Sequence, residues 1–241
     1  VPWVALLGLA LGATGLGAVS TGVLTPDGSA PDSAIPATSL DPQREPAVPS
    51  SSAAPSPPPP LLRSVVEEVS SGSGDLRVVE GESEPAGEGP LKRYTVEVEK
   101  GLPGEAEDFA AAVETILGDP RSWSHDGAMS LQRVDEGPVD FRVTLASPAT
   151  VDDRCAPLRT GGYVSCFAEG RAMINQNRWV SGVPHFDDDL ETYRTYVINH
   201  EVGHALGHGH VGCPGAGEQA PVMQQQTFGL EGCEKNGWPH P

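Results

Sequence analysis

Eleven consecutive residues, His200-Glu201-Val202-Gly203-His204-Ala205-Leu206-Gly207-His208-Gly209-His210, carry the chemistry most open to reading in this chain. His200 and His204 are four apart, so on a helix both imidazoles project from one side as a chelating pair for a tetrahedral ion. Glu201 projects beside such an ion rather than onto it. There a carboxylate can take a proton from water that the ion has made more acidic. Gly207 can adopt a positive φ, ending the helix so that the chain turns back and His210 supplies a third nitrogen. Three protein ligands leave a fourth position open, which marks a catalytic rather than a structural zinc site. His208 prolongs the spacing to i+8, but Gly207 breaks the helix before it, so it is expected outside the ligand set. Five of the seven histidines lie between 185 and 210, and His185 falls in a loop by the same reading. Two other functions use this density: a non-catalytic extracellular domain stabilised by zinc for binding or scaffolding, and a metal-capture protein. Glu201 argues against both, since chelation alone has no use for a carboxylate next to the first ligand.

The elements that must hold these residues are legible upstream. Leu190, Tyr193, Val197, His200 and His204 follow at steps of three and four, so one helical face runs into the histidine pair. Asp187-Asp188-Asp189 precede it, and Asp188 with Glu191 has the spacing of a capping box. Acidic residues there also suit the helix dipole; calcium binding is the costlier explanation of the three. Arg93 to Glu99 alternates with Tyr94, Val96 and Val98 on one face, which predicts a strand. Phe109, Ala112, Val113, Ile116 and Leu117 predict an amphipathic helix stopped by Gly118-Asp119-Pro120. Further strands are expected at Leu131–Val134 and Phe141–Leu145. Tyr163–Ala168 and Arg171–Asn175 form a hairpin about Glu169-Gly170. A hairpin requires antiparallel neighbours and strand–helix–strand order favours parallel ones, so the chain is an α/β (α+β) protein with a mixed, mostly parallel sheet. The last thirty-odd residues, rich in Gly, Pro and Gln, predict a small irregular C-terminal subdomain.

The stretch resembles the metzincin clan of zinc metallopeptidases, whose signature is HExxHxxGxxH. His200, Glu201, His204, Gly207 and His210 match every fixed position. The resemblance implies a turn bearing a methionine beneath one catalytic Zn2+. Met223, in Pro221-Val222-Met223-Gln224, is the one methionine beyond the motif. It also implies an antiparallel edge strand facing a peptide or protein substrate, which would be Tyr163–Ala168, followed by a strand and the active-site helix. The likeness extends over roughly residues 93–230. Val211 stands where classical families of the clan carry a distinguishing residue after the third histidine. Gln225 stands where some place a tyrosine, two residues after the methionine. No classical subfamily is therefore assigned; the nearest likeness is to a group of secreted, membrane-tethered metzincin-like bacterial proteins.

The rest of the chain sets the context. With 15 Lys and Arg against 33 Asp and Glu in 241 residues, the net charge is −18. That leaves no electrostatic footprint for nucleic acid or an anionic lipid surface. Residues 1–24 are uncharged and apolar, and Trp3–Leu24 is long enough to span a bilayer or to serve as a signal core, with Ala18-Val19-Ser20 as a cleavage candidate. Cleaved or retained as a membrane anchor, it implies export to the cell surface or beyond. Residues 25–61 are a disordered linker rich in Pro, Ser and Ala, with 11 of the 24 prolines between 25 and 60. The zinc-site domain is expected over 62–241. Nothing in 62–92 has the look of a zinc-blocking propeptide. Four cysteines in an exported chain predict two disulfides, and of the three connectivities Cys155–Cys166 with Cys213–Cys233 is expected because each pair brackets one loop. The leading expectation is an exported zinc metalloendopeptidase with Glu201 as general base.

Overall fold

The computed structural model describes residues 56–63 and 67–241. The apolar segment 1–24 and residues 25–55 of the spacer lie outside them. Among the described residues six strands build one sheet: β1 (Leu76–Val78), β2 (Leu91–Glu99), β3 (Ser130–Arg133), β4 (Phe141–Ala146), β5 (Cys166–Ala168) and β6 (Arg171–Asn175). Their order is β1-β2-β4-β6-β5, with β3 pairing the first half of β2. Strands β2, β3, β4 and β6 are mutually parallel where they pair, and β1 and β5 are antiparallel to their neighbours. The sheet is therefore mixed, as the hairpin and the strand–helix–strand order require. The second antiparallel strand, β1, is three residues long and carries no alternation that a sequence reading can detect.

Among the described residues four α-helices accompany the sheet: α1 (Ala106–Gly118), α2 (Pro148–Arg154), α3 (Gln176–Ser181) and α4 (Leu190–Ala205). The expected apolar stripe of α1 is buried with Val96, Val98, Val143 and Leu145 of the sheet and Val197, Ile198 and Val202 of α4. Because side chains alternate along a strand, Met173 of β6 faces away from Ala172 and Ile174. It joins Ala146, Val151, Cys155 and Cys166 in a smaller cluster on the opposite face, against α2.

Strand β2 departs from the one-faced pattern that its sequence predicts. Thr95, Glu97 and Glu99 are as buried as Tyr94, Val96 and Val98. The two glutamates can be buried because their charges have partners, whereas the Thr95 hydroxyl has none among the described residues. Glu97 pairs with Arg171 at 2.8 Å and Arg142 at 3.4 Å. Glu99 accepts from the backbone N–H groups of Gly74 and Ser147, both at 2.7 Å, and from Thr150 Oγ1 at 2.9 Å. Burial works against the Glu99 carboxylate, yet these bonds hold its pKa below the ordinary value.

Pro60–Leu62 form a short 3-10 turn whose Leu61 enters the core, so the end of the Pro-rich stretch is docked rather than loose. Arg194 of α4, wholly buried, holds it there. Its guanidinium donates to the carbonyls of Leu61 (2.8 Å), Arg63 (3.1 Å) and Trp179 (2.7 Å). The site helix is thus tied to the start of the domain and to α3. Among the described residues no helix is long and apolar enough to cross a membrane.

Candidate metal centre and its cleft

Helix α4 delivers the first two histidines. Its N-cap is Asp189, whose Oδ1 accepts from Thr192 N–H at 3.1 Å. The predicted box from Asp188 to Glu191 does not form, because Asp187 and Asp188 both take positive φ (53° and 60°) and move the helix start one residue on. His185 lies in a 3-10 turn, Pro184–Phe186, and its Nε2 meets the Gln226 carbonyl at 2.6 Å.

Gly207 ends the helix as expected, with φ 93°. His208 N–H bonds the Gly203 carbonyl at 2.9 Å and Gly207 N–H the His204 carbonyl at 3.0 Å, a Schellman closure. The reversal brings His210 back onto the pair. Ligand atoms of His200, His204 and His210 lie within 4.8 Å of one another, the one such cluster among the described residues.

Each of the two helical imidazoles is aimed by a carbonyl. His200 Nδ1–H donates to Val222 O and His204 Nδ1–H to His208 O, both at 2.8 Å, leaving each Nε2 as a lone-pair donor to the centre. The ring of His208 stacks instead on Trp123, with centroids 4.5 Å apart. His208 is therefore outside the cluster, and its backbone positions His204.

The segment after His210 folds beneath the cluster. Pro221–Gln224 is a turn closed by Gln224 N–H to Pro221 O at 2.9 Å, with Met223 buried at its third position. Val222 O orients His200, and Met223 O accepts from Val211 N–H at 3.2 Å, next to His210. Tyr196 O–H donates to Gln224 O at 3.2 Å. A Cβ on Gly203 would run into Met223 Sδ and would lie 2.7 Å from Trp123 Cζ2. A glycine between the two helical histidines thus lets Met223 lie directly against α4. The disulfide Cys213–Cys233 closes the segment that bears this turn, and Cys155–Cys166 ties α2 to β5. Both pairings are the expected ones, and two disulfides fit an oxidising compartment.

The donor set suits a divalent cation. His200 Nε2 and one Glu201 carboxylate oxygen are buried with no hydrogen-bond partner among the described residues. His204 Nε2 and His210 Nε2 stand 2.9 Å apart. Two imidazole lone pairs converging with a buried unpaired carboxylate is costly unless positive charge lies among them. Burial drives the His200 pKa down to about 3, helped by the neighbouring His204 and His210, so its imidazole is neutral and free to ligate. His210 is likewise lowered, by burial and then by His204. Burial alone pushes Glu201 up to about 8, and a cation beside it would favour the ionised form instead.

A cleft of about 270 Å³ opens onto the cluster, lined by Leu158, Ser165, Cys166, Phe167, Glu201, His204, His210 and Gln225. Its upper wall is β5 and the loop before it. The expected strand Tyr163–Ala168 is shorter than predicted. Gly161 and Gly162 take φ 62° and 66°, so Tyr163 sits in a turn and only Cys166–Ala168 pair with β6. The sequence singles out neither Leu158, Phe167 nor Trp123, since their roles depend on proximity between distant positions of the chain, as between Trp123 and Asn199, 76 residues apart, whose carbonyl accepts from the indole N–H.

Fold and site together define an α/β domain with a three-histidine centre beside a buried glutamate. Residues 63–241 match the family described as "Protein of unknown function (DUF3152)", and the chain belongs to that family. No curated protein and no solved structure matches it.

Proposed function

We propose that the protein is a zinc-dependent metallopeptidase of metzincin type, acting outside the cytoplasm. The observation that carries this reading is the convergence of His200, His204 and His210 beside Glu201 at the floor of a cleft walled by an antiparallel edge strand. The turn carrying Met223 under the cluster supports the likeness further. Zinc at the three imidazoles would supply Lewis acidity, acidifying water and polarising a carbonyl.

The remaining work falls to the chain's own groups. The His200 and His204 rings are oriented by Val222 O and His208 O, so ligation needs no reorganisation. Glu201 takes the proton of the attacking water and returns it to the leaving amine. The Gln225 side chain, a neutral donor on the cleft wall with no hydrogen bond of its own among the described residues, is the group we assign to the carbonyl oxygen as it gains charge. Strand β5, unpaired on its outer side, offers backbone N–H and C=O groups to an extended peptide.

The full chain, freed of metal and then reloaded with zinc, provides the test. Native mass is expected to show one zinc per chain, and a peptide pool to be cut only by the reloaded protein. One zinc without cleavage of any peptide would favour a zinc-stabilised binding domain, since such a domain needs the ligands but not the chemistry.

A further inference from the structure

Large apolar side chains left exposed are unevenly placed. Among the described residues they are Leu62, Val78, Leu91, Leu158, Tyr163, Phe167, Val211 and Phe228. Leu158 and Phe167 line the cleft themselves. Tyr163 is two residues from Ser165 and Phe228 three from Gln225, both of which line it, and Val211 follows His210. Exposed apolar surface gathered around a concave site marks a surface that something else covers.

Two of these residues stack on each other. Tyr163, in the loop before β5, stacks with Phe228, in the C-terminal segment, at 6.1 Å between centroids and 21° between planes. Arg178 of α3 lies against the Tyr163 ring, 4.7 Å from its centroid. The result is a layered stack whose outer member, Phe228, is 67% exposed.

The loop that carries Leu158 is fixed on several sides. The Cys155–Cys166 disulfide closes it, Gly162 N–H and the Thr160 hydroxyl both donate to Asp152, and Asn175 donates to Gly162 O at 3.1 Å. Phe228 N–H is held by Gln225 O at 3.1 Å. The platform is therefore built before a ligand arrives, so little ordering is needed on binding. Glu201 is the one carboxylate on the cleft lining.

We infer that Leu158, Phe167, Tyr163 and Phe228 form a subsite selecting a peptide with a large aromatic or aliphatic side chain beside the bond at Glu201. The inference rests on the peptidase reading. Its occupant is an extended segment of substrate because Leu158 and Phe167 line the same cleft as Glu201, His204 and His210. An acidic segment would be disfavoured by a chain of net charge −18.

Two peptides differing only in Phe or Ala next to the cut bond test it, with the zinc-loaded full chain. Cleavage efficiency is expected to favour Phe by about ten-fold or more, the discrimination available to an apolar pocket. Phe228→Ala and Leu158→Ala should each bring that ratio towards one, chiefly through KM. Leu91→Ala, which removes an exposed leucine far from the cleft, should keep it. A second readout uses Glu201→Gln, zinc-loaded and non-cleaving, with fluorescence anisotropy of the same two peptides; Phe should again bind about ten-fold tighter. Cleavage with no apolar preference, or a ratio untouched by Phe228→Ala, overturns this inference and leaves the peptidase standing. Preferential binding of the Phe peptide without cleavage by the unmutated chain supports the subsite and overturns the peptidase.

Discussion

At the residue scale, the division of labour between His204 and His208 separates a ligand from its support. His204 offers Nε2 to the centre while its Nδ1–H is held by the His208 carbonyl, and the His208 ring lies on Trp123. Removing the His208 imidazole leaves that carbonyl in place. His204→Ala is therefore expected to abolish stoichiometric zinc, whereas His208→Ala should weaken it by about ten-fold at most, the low end for an outer partner. Zinc titration followed by native mass reads both; equal losses would place His208 among the ligands. The ligand motif was fully legible because its geometry is local, set by 3.6 residues per turn and one glycine. Trp123 was not, since its place depends on chain reversals that no spacing reports; Gln225 was located by its spacing from Met223, but its opening onto the cleft was not legible.

Elements account for how closely the site is held. Helix α4 has no broad apolar stripe: Arg194, Thr195, Asn199, His200 and Glu201 are all buried with Tyr193, Tyr196, Val197, Ile198 and Val202. Its expected face was identified from the histidine spacing, but burial all round follows from polar partners such as the carbonyls receiving Arg194 and the Gly237 carbonyl receiving Asn199 at 2.9 Å. Gly203 is the point where α4 and the Met223 turn touch. A methyl group there collides with Met223 and Trp123, so Gly203→Ala should destabilise by about 1–3 kcal/mol despite the better helix propensity of alanine. Denaturant unfolding of the metal-free protein measures it; a gain in stability would show that the turn yields freely. Strands β2, β4 and β6 and helices α1 and α4 could be read from periodicity. Helix α2, begun by Ser147 and Pro148, and helix α3 span seven and six residues, too short for an apolar period to declare itself.

For the molecule as a whole, the C-terminal segment has little regular structure and is stabilised by cross-links. Ala220 N–H to Glu234 O and Glu234 N–H to Glu218 O, both 2.8 Å, lie beside the Cys213–Cys233 disulfide, 20 residues apart in sequence. Gln226 and Asn236 add side-chain bonds inside the loop, Gln226 Nε2 to Asn236 O at 2.8 Å and Asn236 Nδ2 to Ala220 O at 2.9 Å. Opening the bridge by Cys213→Ser with Cys233→Ser should cost about 3 kcal/mol of stability. It should also weaken zinc, because Val222 O would no longer be held against His200. Thermal unfolding with and without zinc separates the two effects, and an unchanged zinc affinity would show that the turn keeps its place without the disulfide. The disulfide pairing was legible from the sequence because each bridge closes one short loop; the burial of Glu97 and Glu99 was not, because it depends on Arg171, Arg142 and Ser147 reaching them from other elements.

The central claim is that Glu201 performs chemistry at a metal rather than filling space beside it. Its most direct test is one digestion of an unbiased peptide pool by the full chain and by Glu201→Gln, with zinc counted in both samples. The account predicts equal zinc, and cleavage by the unmutated chain that falls by about 10²–10⁴-fold in the variant, the range for losing a general base. Equal zinc with equal cleavage would contradict it, leaving Glu201 a buried structural carboxyl and the catalytic base elsewhere.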